Sequence, residues 1–341
     1  MRQPKIYKYL FLPLLVIPAY IYLLIVHLRN LFYDFNLLRS KKIGVPVISV
    51  GNISAGGSGK SPFTVWLASS MQKLGYKPAI LSRGYGRKSK GLVVVSNGEK
   101  VLADSLLGGD EPVMMAEKLP GIPVIADADR IRGAEYIVRE FDVNVIILDD
   151  AFQHRRIHRD LDIILWNSKQ SGTDLLPLPA GHQRDEKKRL KKCDLLFLTK
   201  ADENSAEKWR DLEKFHKIDA VLSYKNENPR HVASGEELKD RSDYSMVAVA
   251  GIAFPHDFFA WLKKTYPKIN WIFIPLPDHV GYSPEFFADL KKKYPRCRGV
   301  VTTEKDRVKM RNFEPDDLYV SPLAVYPLHS TDLNKIILKK L

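Results

Sequence analysis

The chain has 341 residues, enough for two domains with sizeable cores, and its composition is that of an ordinary globular protein. It carries 53 Lys and Arg against 40 Asp and Glu, and the resulting net charge of +13 suits an anionic partner such as a nucleic acid, an acidic lipid surface or a phosphorylated substrate. The two cysteines, Cys193 and Cys297, lie far apart, so the sequence indicates neither a disulfide framework nor a zinc site and favours a reducing compartment.

The N-terminal region contains an uncharged, largely apolar run at residues 9–26, close to the ~20 residues that span a bilayer. Basic residues flank this run on both sides, and the excess after it favours a cytoplasmic body. Pro13 and Pro18 would kink a helix, so a monotopic insertion is as plausible as a full span. A cleaved signal peptide fits less well, because no small-residue cleavage site follows; a long core helix is the remaining alternative.

Residues 47–62 read as a strand, a glycine-rich turn and the start of a helix, which is the context that a phosphate-binding loop needs. Glycines let successive backbone N–H groups point at an anion, and the helix N-terminus adds further donors. We expect Lys60 to reach the β- and γ-phosphates and the Ser61 hydroxyl to bind Mg²⁺. Ser54 stands where the usual pattern has glycine. The alternative is an ordinary glycine-rich turn with a solvated lysine.

Two polar turns follow the next predicted strands. The strand near residues 77–82 ends in Arg83-Gly84-Tyr85-Gly86-Arg87, at the end where ligands of α/β sheets bind, which predicts a substrate or nucleotide contact or else a tight turn with solvated arginines. Gly109-Asp110-Glu111-Pro112 precedes an apolar-periodic helix at 113–119. The two acids either cap that helix or place a carboxylate in a phosphoryl-transfer site, and the sequence leaves both interpretations open.

Charged residues also follow the strands predicted at 122–126 and 143–148. Arg130 begins a helix and either contacts a phosphate or forms a surface ion pair with Asp127. The run 143–148 is apolar and β-branched, as in a buried parallel strand, and ends in Asp149-Asp150. A carboxylate at the end of a buried strand, downstream of a phosphate loop, predicts a metal-holding acid; a helix cap or loop residue is the alternative.

The middle of the chain continues with predicted strands at 161–166 and 195–199. The run 184–192 between them mixes charges of both signs, which is typical of a solvated helix face. Thr199-Lys200-Ala201-Asp202 resembles the base-reading turn of GTPases, and we interpret this short match as a strand-end turn.

The polar, turn-rich segment 225–244 predicts a linker or hairpin, and alternating strands and helices resume after it. Within this later part, Asp278-His279 is a candidate pair for proton transfer or phosphate contact, although a lone Asp-His turn is more often structural. We therefore predict the following division: an apolar membrane-associated helix at 1–40, a P-loop domain at 41–224, a linker or hairpin at 225–244 and a smaller α/β domain at 245–341.

Together these motifs resemble the tetraacyldisaccharide 4'-kinase family, and the resemblance covers nearly the whole chain, from the apolar N-terminus to Lys309. Ser54 fits as well, because this family carries Ser or Thr where other phosphate loops carry glycine. The motifs that carry the resemblance are Gly51-Asn52-Ile53 through Gly57-Ser58-Gly59-Lys60-Ser61-Pro62, Ser82-Arg83-Gly84-Tyr85-Gly86, Gly109-Asp110-Glu111-Pro112, Asp129-Arg130, Asp149-Asp150-Ala151-Phe152-Gln153-His154, Leu176–Gly181, Asp278-His279 and Thr303-Glu304-Lys305-Asp306.

The resemblance implies an α/β fold: a P-loop NTPase-type, mostly parallel sheet, a second and smaller α/β domain, an N-terminal membrane-associated helix, and a site in the cleft. It implies that ATP donates its γ-phosphate to the 4'-hydroxyl of tetraacyldisaccharide 1-phosphate, an acylated glucosamine disaccharide, giving lipid IVA in lipid A biosynthesis. Such a lipid kinase would act at the cytoplasmic face of the bacterial inner membrane, anchored or inserted through its N-terminal helix.

The resemblance also implies roles for individual residues. Asp110 would take the hydroxyl proton with His279 as its partner, and Glu111 is a secondary candidate. Lys60 and Arg130 would neutralise phosphoryl charge. The implied Mg²⁺ ligands are Ser61, Asp149 and Asp150. The implied nucleotide-binding residues are Ser54, Ala55, Gly56, Gly57, Ser58, Gly59, Lys60, Ser61, Tyr85 and Gln153.

Two other functions compete with the lipid kinase. A membrane-associated P-loop GTPase or ATPase switch would hydrolyse its nucleotide without an acceptor. A nucleic-acid binder would need its positive charge in one stripe, with aromatic side chains for stacking. Here the basic residues are scattered through mixed-sign helices, so we expect no nucleic-acid partner.

Overall fold

The structure, a computed structural model, describes residues 12–278, 280–329 and 331–341 and divides them into two compact units. Unit 1 contains the described residues up to Arg83, together with Asp129–Tyr224 and Tyr326–Leu341. Unit 2 contains Gly84–Ala128 and Lys225–Val325. Residues 84–128, which we placed in the P-loop domain, thus group with the later part of the chain. The sequence-based boundaries at 40, 224 and 244 stay a prediction.

The described part of the chain contains strands and helices in alternation. The strands are β1 Val47–Gly51, β2 Pro78–Ser82, β3 Val93–Asn97, β4 Pro123–Ala126, β5 Val145–Asp149, β6 Leu161–Asn167, β7 Leu195–Thr199, β8 Ala220–Asn226, β9 Arg230–His231, β10 Ser245–Ala250, β11 Asn270–Pro275, β12 Gly299–Thr303, β13 Leu318–Ser321 and β14 Leu323–Pro327. The α-helices are α1 Leu12–Asp34, α2 Lys60–Lys73, α3 Ser105–Gly108, α4 Asp110–Lys118, α5 Arg130–Glu140, α6 Ser205–Lys208, α7 Pro255–Thr265, α8 Pro284–Lys293, α9 Glu304–Arg307 and α10 Leu333–Leu338. Short 3-10 turns lie at Gly172–Leu175, Lys187–Lys192 and Arg210–Lys214.

Unit 1 is built on a parallel sheet in which the strands follow the order β8-β7-β6-β1-β5-β2. Strands β1, β2, β5, β6 and β7 are buried along their whole length, which explains their continuous apolar sequences. Val50 of β1 is paired with Asp149 of β5, so both strands end at the same edge of the sheet. This edge therefore carries the glycine-rich loop beside Asp149 and Asp150.

Unit 2 contains a five-stranded sheet in the order β11-β10-β12-β13-β9, parallel except for the antiparallel strand β9. Side chains alternate along the central strand β10. One face packs Ala248 and Ala250 against Phe258 of α7, and the other packs Val247 and Val249 near Leu290 of α8. The same unit holds the antiparallel pair of β3 and β4, and the helix α4 between them in sequence. The predicted α/β fold with a large, mostly parallel sheet is confirmed.

Helix α1 has two contrasting faces. Leu14, Ile17, Ile21 and Leu24 repeat at helical spacing and are exposed, the first two at 70%. Val26 and other residues on the opposite face are buried. The segment Leu14–Asp34 is long and apolar enough to cross a membrane, judged by length and composition alone, with a mean hydropathy of 1.7. An exposed apolar face this long needs a partner, and its chemistry suits lipid.

Candidate functional site

The glycine-rich loop of unit 1 connects β1 to α2. Gly56, Gly57 and Gly59 adopt positive φ angles of 73°, 56° and 78°, which other residues rarely tolerate. Gly59 is the N-cap of α2, and no side chain caps this helix. Its first turn therefore presents free N–H groups and the positive end of its dipole at the loop, which is the geometry of an anion site.

A short hydrogen-bond network fixes the far side of the loop. The Asn52 amide donates to the Ser58 hydroxyl at 2.9 Å, and the Lys60 ammonium approaches the same oxygen at 3.4 Å. The Gln153 amide in turn donates to the Asn52 main-chain oxygen at 2.9 Å. Lys60 is thereby held over its own loop rather than extended into solvent. Gln153, predicted to line the nucleotide site, acts here on the loop backbone.

Residues that the sequence did not single out support the loop from neighbouring strands. The Gln170 amide donates to the Ser54 hydroxyl at 2.6 Å, which gives a buried serine at this position a hydrogen-bond partner. The Asn167 amide donates to the Gly57 oxygen at 3.2 Å, and the Tyr224 hydroxyl donates to the Gly59 oxygen at 3.0 Å. Two glycine carbonyls of the loop are therefore fixed by side chains far away in sequence.

Asp150 lies between two cations at the end of β5. Lys60 Nζ is 3.5 Å from Asp150 Oδ1, and the Arg184 guanidinium donates to both carboxylate oxygens at 3.1 and 2.9 Å. Burial alone would raise the pKa of Asp150, but the Lys60 and Arg184 charges hold this pKa below its ordinary value. The carboxylate is therefore ionised at neutral pH.

The interpretation of the run 184–192 as a solvated helix face is wrong for two of its arginines. Arg184 binds Asp150, and Arg189 is buried and pairs with Asp34 of α1 at 2.9 Å. Charge pattern alone gave no sign of this, because the partners come from distant segments of unit 1. Arg184 is therefore another site residue that sequence reasoning missed.

Asp149 is almost completely buried, at 2% exposure, at the end of β5. Its two carboxylate oxygens accept hydrogen bonds from the Thr64 and Ser82 hydroxyls, both at 3.3 Å. Arg130 is also buried and donates to the Asp149 main-chain oxygen at 3.1 Å. It is thus not a surface residue, and its guanidinium lies at the edge of the sheet that carries the phosphate loop. The neighbouring Asp129 caps α5 by accepting from the Ile131 and Arg132 N–H groups.

The oxygen donors at this edge suit a hard divalent cation. Ser61 is the second residue of α2, and Asp149 and Asp150 follow one another at the end of β5. Mg²⁺ commonly takes one or two carboxylates and completes its shell with waters and substrate phosphates. In the described parts of the chain no group of three or more His, Cys, Asp and Glu side chains forms a closed metal cage. The donor set therefore fits a metal that arrives with a nucleotide.

His154 follows the acidic pair and is surrounded by cations. Burial, with further contributions from Arg130 and Arg83, lowers the pKa of His154 from 6.5 to about 4. The imidazole is therefore neutral in the folded protein at neutral pH, whereas in the unfolded chain it gains a proton as the pH falls below about 6.5.

We expect this depressed pKa to make folding sensitive to mild acid. The contribution of His154 to the free energy of unfolding is fully present above its pKa in the unfolded chain. It is lost as the pH falls towards the pKa in the folded protein, by about 2 kcal/mol between roughly pH 7 and pH 5. Urea unfolding of the parent protein and His154→Gln at both pH values measures this difference. His158→Gln, which replaces a more exposed histidine, is the control. Equal acid sensitivity of the parent protein and His154→Gln would contradict the lowered pKa.

Unit 2 contains the turn Gly109-Asp110-Glu111-Pro112, which carries the two candidate acids. Asp110 is the first residue of α4 rather than its cap. The N-cap is Gly109, which has a φ of 93°, and a Cβ added there would lie only 3.2 Å from the Gly84 backbone. The interpretation of Asp110 as a helix cap is therefore wrong. Tyr85, which follows Gly84, is 72% exposed. The carboxylate of Asp110 lies 3.7 Å from Lys309 Nζ.

The Asp278-His279 turn is only partly described. Asp278 accepts a hydrogen bond from Lys305 at 3.2 Å. His279 lies outside the described residues, so its pairing with Asp110 stays a prediction. Cys193 and Cys297 are free thiols, the first buried and the second partly buried.

The fold and site of unit 1 define a P-loop phosphotransferase: a parallel α/β sheet with a glycine-rich loop, a loop lysine and a strand-end carboxylate pair. A family model described as LpxK, tetraacyldisaccharide-1-P 4'-kinase, matches residues 11–341. The chain therefore belongs to the tetraacyldisaccharide 4'-kinase family, as its motifs predicted.

Individual relatives agree with this assignment. A tetraacyldisaccharide 4'-kinase of Chlorobium limicola is 40% identical over 259 residues, which is 74% of this chain and 73% of that protein. A protein of the same name from Aquifex aeolicus is 36% identical over 87% of this chain and 89% of its own length. A crystal structure of LpxK from Aquifex aeolicus in complex with ATP superimposes with a TM-score of 0.75 at 32% identity, covering 98% of this chain and 99% of that one.

Proposed function

We propose that this chain transfers the γ-phosphate of ATP to the 4'-hydroxyl of tetraacyldisaccharide 1-phosphate, giving lipid IVA in lipid A biosynthesis. The observation that carries this proposal is membership of the 4'-kinase family over residues 11–341, combined with an intact phosphate loop. The ATP bound to the related Aquifex aeolicus structure supports ATP as the phosphoryl donor.

The charges of unit 1 suit the binding of a polyphosphate. We assign Lys60 and Arg130 to neutralising the transferred phosphoryl group, which is where most catalysis of phosphoryl transfer arises. Lys60 is already oriented by Ser58 and Asp150, so little reorganisation is needed when a nucleotide enters. Arg184 keeps Asp150 paired when Lys60 turns to a phosphate. The nucleotide-binding residues would be the loop 54–61, Gln153 and Tyr85.

Ser61, Asp149 and Asp150 would hold Mg²⁺. The metal, when bound, would neutralise charge on the β- and γ-phosphate oxygens. The protein contributes two carboxylates that differ in environment. Asp149 is oriented by two hydroxyls, and Asp150 is kept ionised by two cations. Both carboxylates are therefore oriented and ready to bind the metal before the metal–nucleotide complex arrives.

Asp110 is the acid we propose for the acceptor hydroxyl. A sugar hydroxyl is a poor nucleophile, so a carboxylate that accepts its proton or orients it accelerates attack. Asp110 begins α4, where the helix dipole favours a negative charge, and Lys309 adds a second favourable charge. In a loose transition state, orientation of the hydroxyl contributes as much as proton removal. His279 is the proposed partner of this acid.

Helix α1 is the proposed membrane contact. Its polar side is tied to unit 1: the Tyr22 hydroxyl donates to the Arg184 oxygen at 3.0 Å, and the Asn30 amide donates to Asp185 at 2.9 Å. A helix held along one side presents its other, apolar side to lipid, which favours a monotopic insertion over a full span. The net charge of +13 would add attraction to an anionic leaflet at the cytoplasmic face of the inner membrane.

Removing apolar area from the exposed face of α1 is expected to weaken membrane binding. Ile17→Ser combined with Ile21→Ser should reduce partitioning into anionic vesicles about 10²- to 10⁴-fold, because fully burying one isoleucine is worth about 1.5–3 kcal/mol and the variant removes two. Co-sedimentation with vesicles measures this partitioning. Leu74→Ser combined with Phe254→Ser removes similar exposed apolar area elsewhere and should leave binding unchanged. A similar loss in both double variants would contradict a specific role for α1.

The proposed reaction is tested in detergent micelles with purified protein, Mg²⁺, γ-labelled ATP and tetraacyldisaccharide 1-phosphate. Label should appear on the lipid, and little phosphate should be released when the acceptor is left out. Acceptor-independent hydrolysis without lipid product would instead support the nucleotide switch. A comparison of ATP with GTP as donor then separates the two forms of that switch.

A further inference from the structure

Lys309 is a buried cation placed between two carboxylates of unit 2. Its side chain is 6% exposed, and its Nζ lies 3.7 Å from Asp110 Oδ2 and 3.5 Å from Asp306 Oδ1. The ring of Tyr282 also lies near, with its centroid 5.9 Å from Nζ. Burial raises the pKa of Tyr282 further above its ordinary value, so this phenol stays neutral. Among the described residues, the charged groups paired with the ammonium are Asp110 and Asp306.

Asp306 is an anchor for this lysine. It is fully buried, and its Oδ2 accepts hydrogen bonds from the Thr303 hydroxyl at 2.8 Å and the Gly251 N–H at 3.1 Å. These two bonds join the ends of β12 and β10. The other oxygen, Oδ1, accepts from Lys309. Because the Asp306 carboxylate is bonded to the ends of two strands, β10 and β12, its position is fixed. It therefore fixes the position of the Lys309 ammonium.

The same segment of chain holds the rest of α4. Lys118, at the last turn of this helix, pairs with Glu304 at 2.8 Å, and Arg311 lies 3.5 Å from Glu117. Residues 304–311 thus contact α4 at its first residue through Lys309 and at its last turn through Glu304 and Arg311. A helix fixed at both ends presents its first residue in one orientation.

Three residues of the motif Thr303-Glu304-Lys305-Asp306 each make a contact that positions a neighbouring element. Glu304 holds the end of α4, Lys305 contacts Asp278, and Asp306 anchors Lys309. One short turn connects the proposed acid with the turn that contains its proposed partner. The contacts of residues 304–309 thus reach both the Asp110 turn and the Asp278-His279 turn. Because both turns are proposed to act in the same reaction, these contacts indicate that the segment positions catalytic groups rather than only stabilising the fold.

We infer that Lys309 is a positioning residue for phosphoryl transfer: anchored by Asp306, its ammonium orients the carboxylate of Asp110. This inference rests on the proposed role of Asp110. An opposite charge 3.7 Å from a carboxylate restricts the orientations that the carboxylate adopts, and this attraction is strong where water is excluded. Lys309 itself contacts neither nucleotide nor acceptor in this assignment.

The test compares Lys309→Met, which keeps the apolar stem and removes the charge, with Lys309→Arg, which keeps the charge. We expect Lys309→Met to lower kcat about 10- to 100-fold with little change in the KM for ATP. The loss should fall on kcat because Lys309 orients the carboxylate that meets the acceptor and does not bind the nucleotide. Lys309→Arg should recover much of the activity. Lys309→Gln replaces Lys309→Met if the latter is too unstable to assay.

A double-mutant comparison distinguishes the positioning role of Lys309 from the proposed role of Asp110 in the reaction. In an Asp110→Asn background, Lys309→Met should cause little further loss, since Lys309 acts through Asp110. Losses that multiply would overturn the inference, as would a Lys309→Met enzyme with parental kcat while Asp110→Asn is inactive. If Asp110→Asn alone keeps full activity, the role proposed for Asp110 fails first. Lys214→Gln, which removes the lysine of an exposed Asp–Lys pair of the same spacing, controls for loss of charge.

Discussion

Replacing Asp110 with asparagine is expected to lower kcat for lipid phosphorylation by about 10²- to 10⁴-fold, the usual contribution of a general base. Asparagine has nearly the same shape, so α4 keeps its first turn, but the amide cannot accept the hydroxyl proton. Lys309 keeps Asp306 as a partner, which limits the cost in stability. Steady-state rates with saturating ATP, together with thermal unfolding of both proteins, measure the two effects separately.

Glu111 provides the comparison for this prediction, because it occupies the next position in the same helical turn. Glu111→Gln should change kcat far less than Asp110→Asn if Asp110 is the acid that meets the acceptor. The opposite order would transfer the role to Glu111, the secondary candidate. Retention of full activity by both variants would remove this turn from the reaction altogether.

Gly59→Ala is expected to abolish most activity and to destabilise unit 1, for two additive reasons. The φ of 78° at Gly59 lies in the left-handed region, where a side chain costs about 1–2 kcal/mol. In addition, a Cβ at this position would lie 2.5 Å from the Tyr224 ring, which is partly buried against the loop. Relief of this overlap must displace either the loop or the tyrosine, at a further ~1–3 kcal/mol.

The loss of activity follows because Gly59 immediately precedes Lys60, and a displaced loop no longer presents its N–H groups or its lysine correctly. We expect at least a 100-fold lower kcat/KM for ATP, in keeping with the cost of misplacing groups at a reaction centre. Gly75→Ala is a matched control, since its φ of 88° is also left-handed but nothing lies within 4 Å. In urea unfolding, Gly75→Ala should lose only the ~1–2 kcal/mol that a side chain costs at a positive φ. Its kinetic constants should be those of the parent protein. Similar results for the two variants would refute the contact argument.

The phosphate loop and its flanking elements were predicted from sequence because their signals are local. Continuous apolar runs identified buried parallel strands, and β7 was predicted with its observed bounds, Leu195–Thr199. Small errors arose at ends. Strand β5, predicted over 143–148, runs from Val145 to Asp149. Its pairing with β1 extends to Asp149 opposite Val50, and an apolar run does not show that a charged residue continues the strand.

Sequence alone thus determined the fold class, the phosphate loop, the strand-end acids and the family, since each depends on residues that are neighbours in the chain. Only the tertiary structure showed that Arg184 pairs with Asp150, that Tyr224 supports Gly59 and that Lys309 faces Asp110. These pairs join segments far apart in sequence, and an arginine or lysine in a charged run looks the same whether it is solvated or paired. Which partner it meets is decided by strand order and packing, and these set the electrostatics of the site.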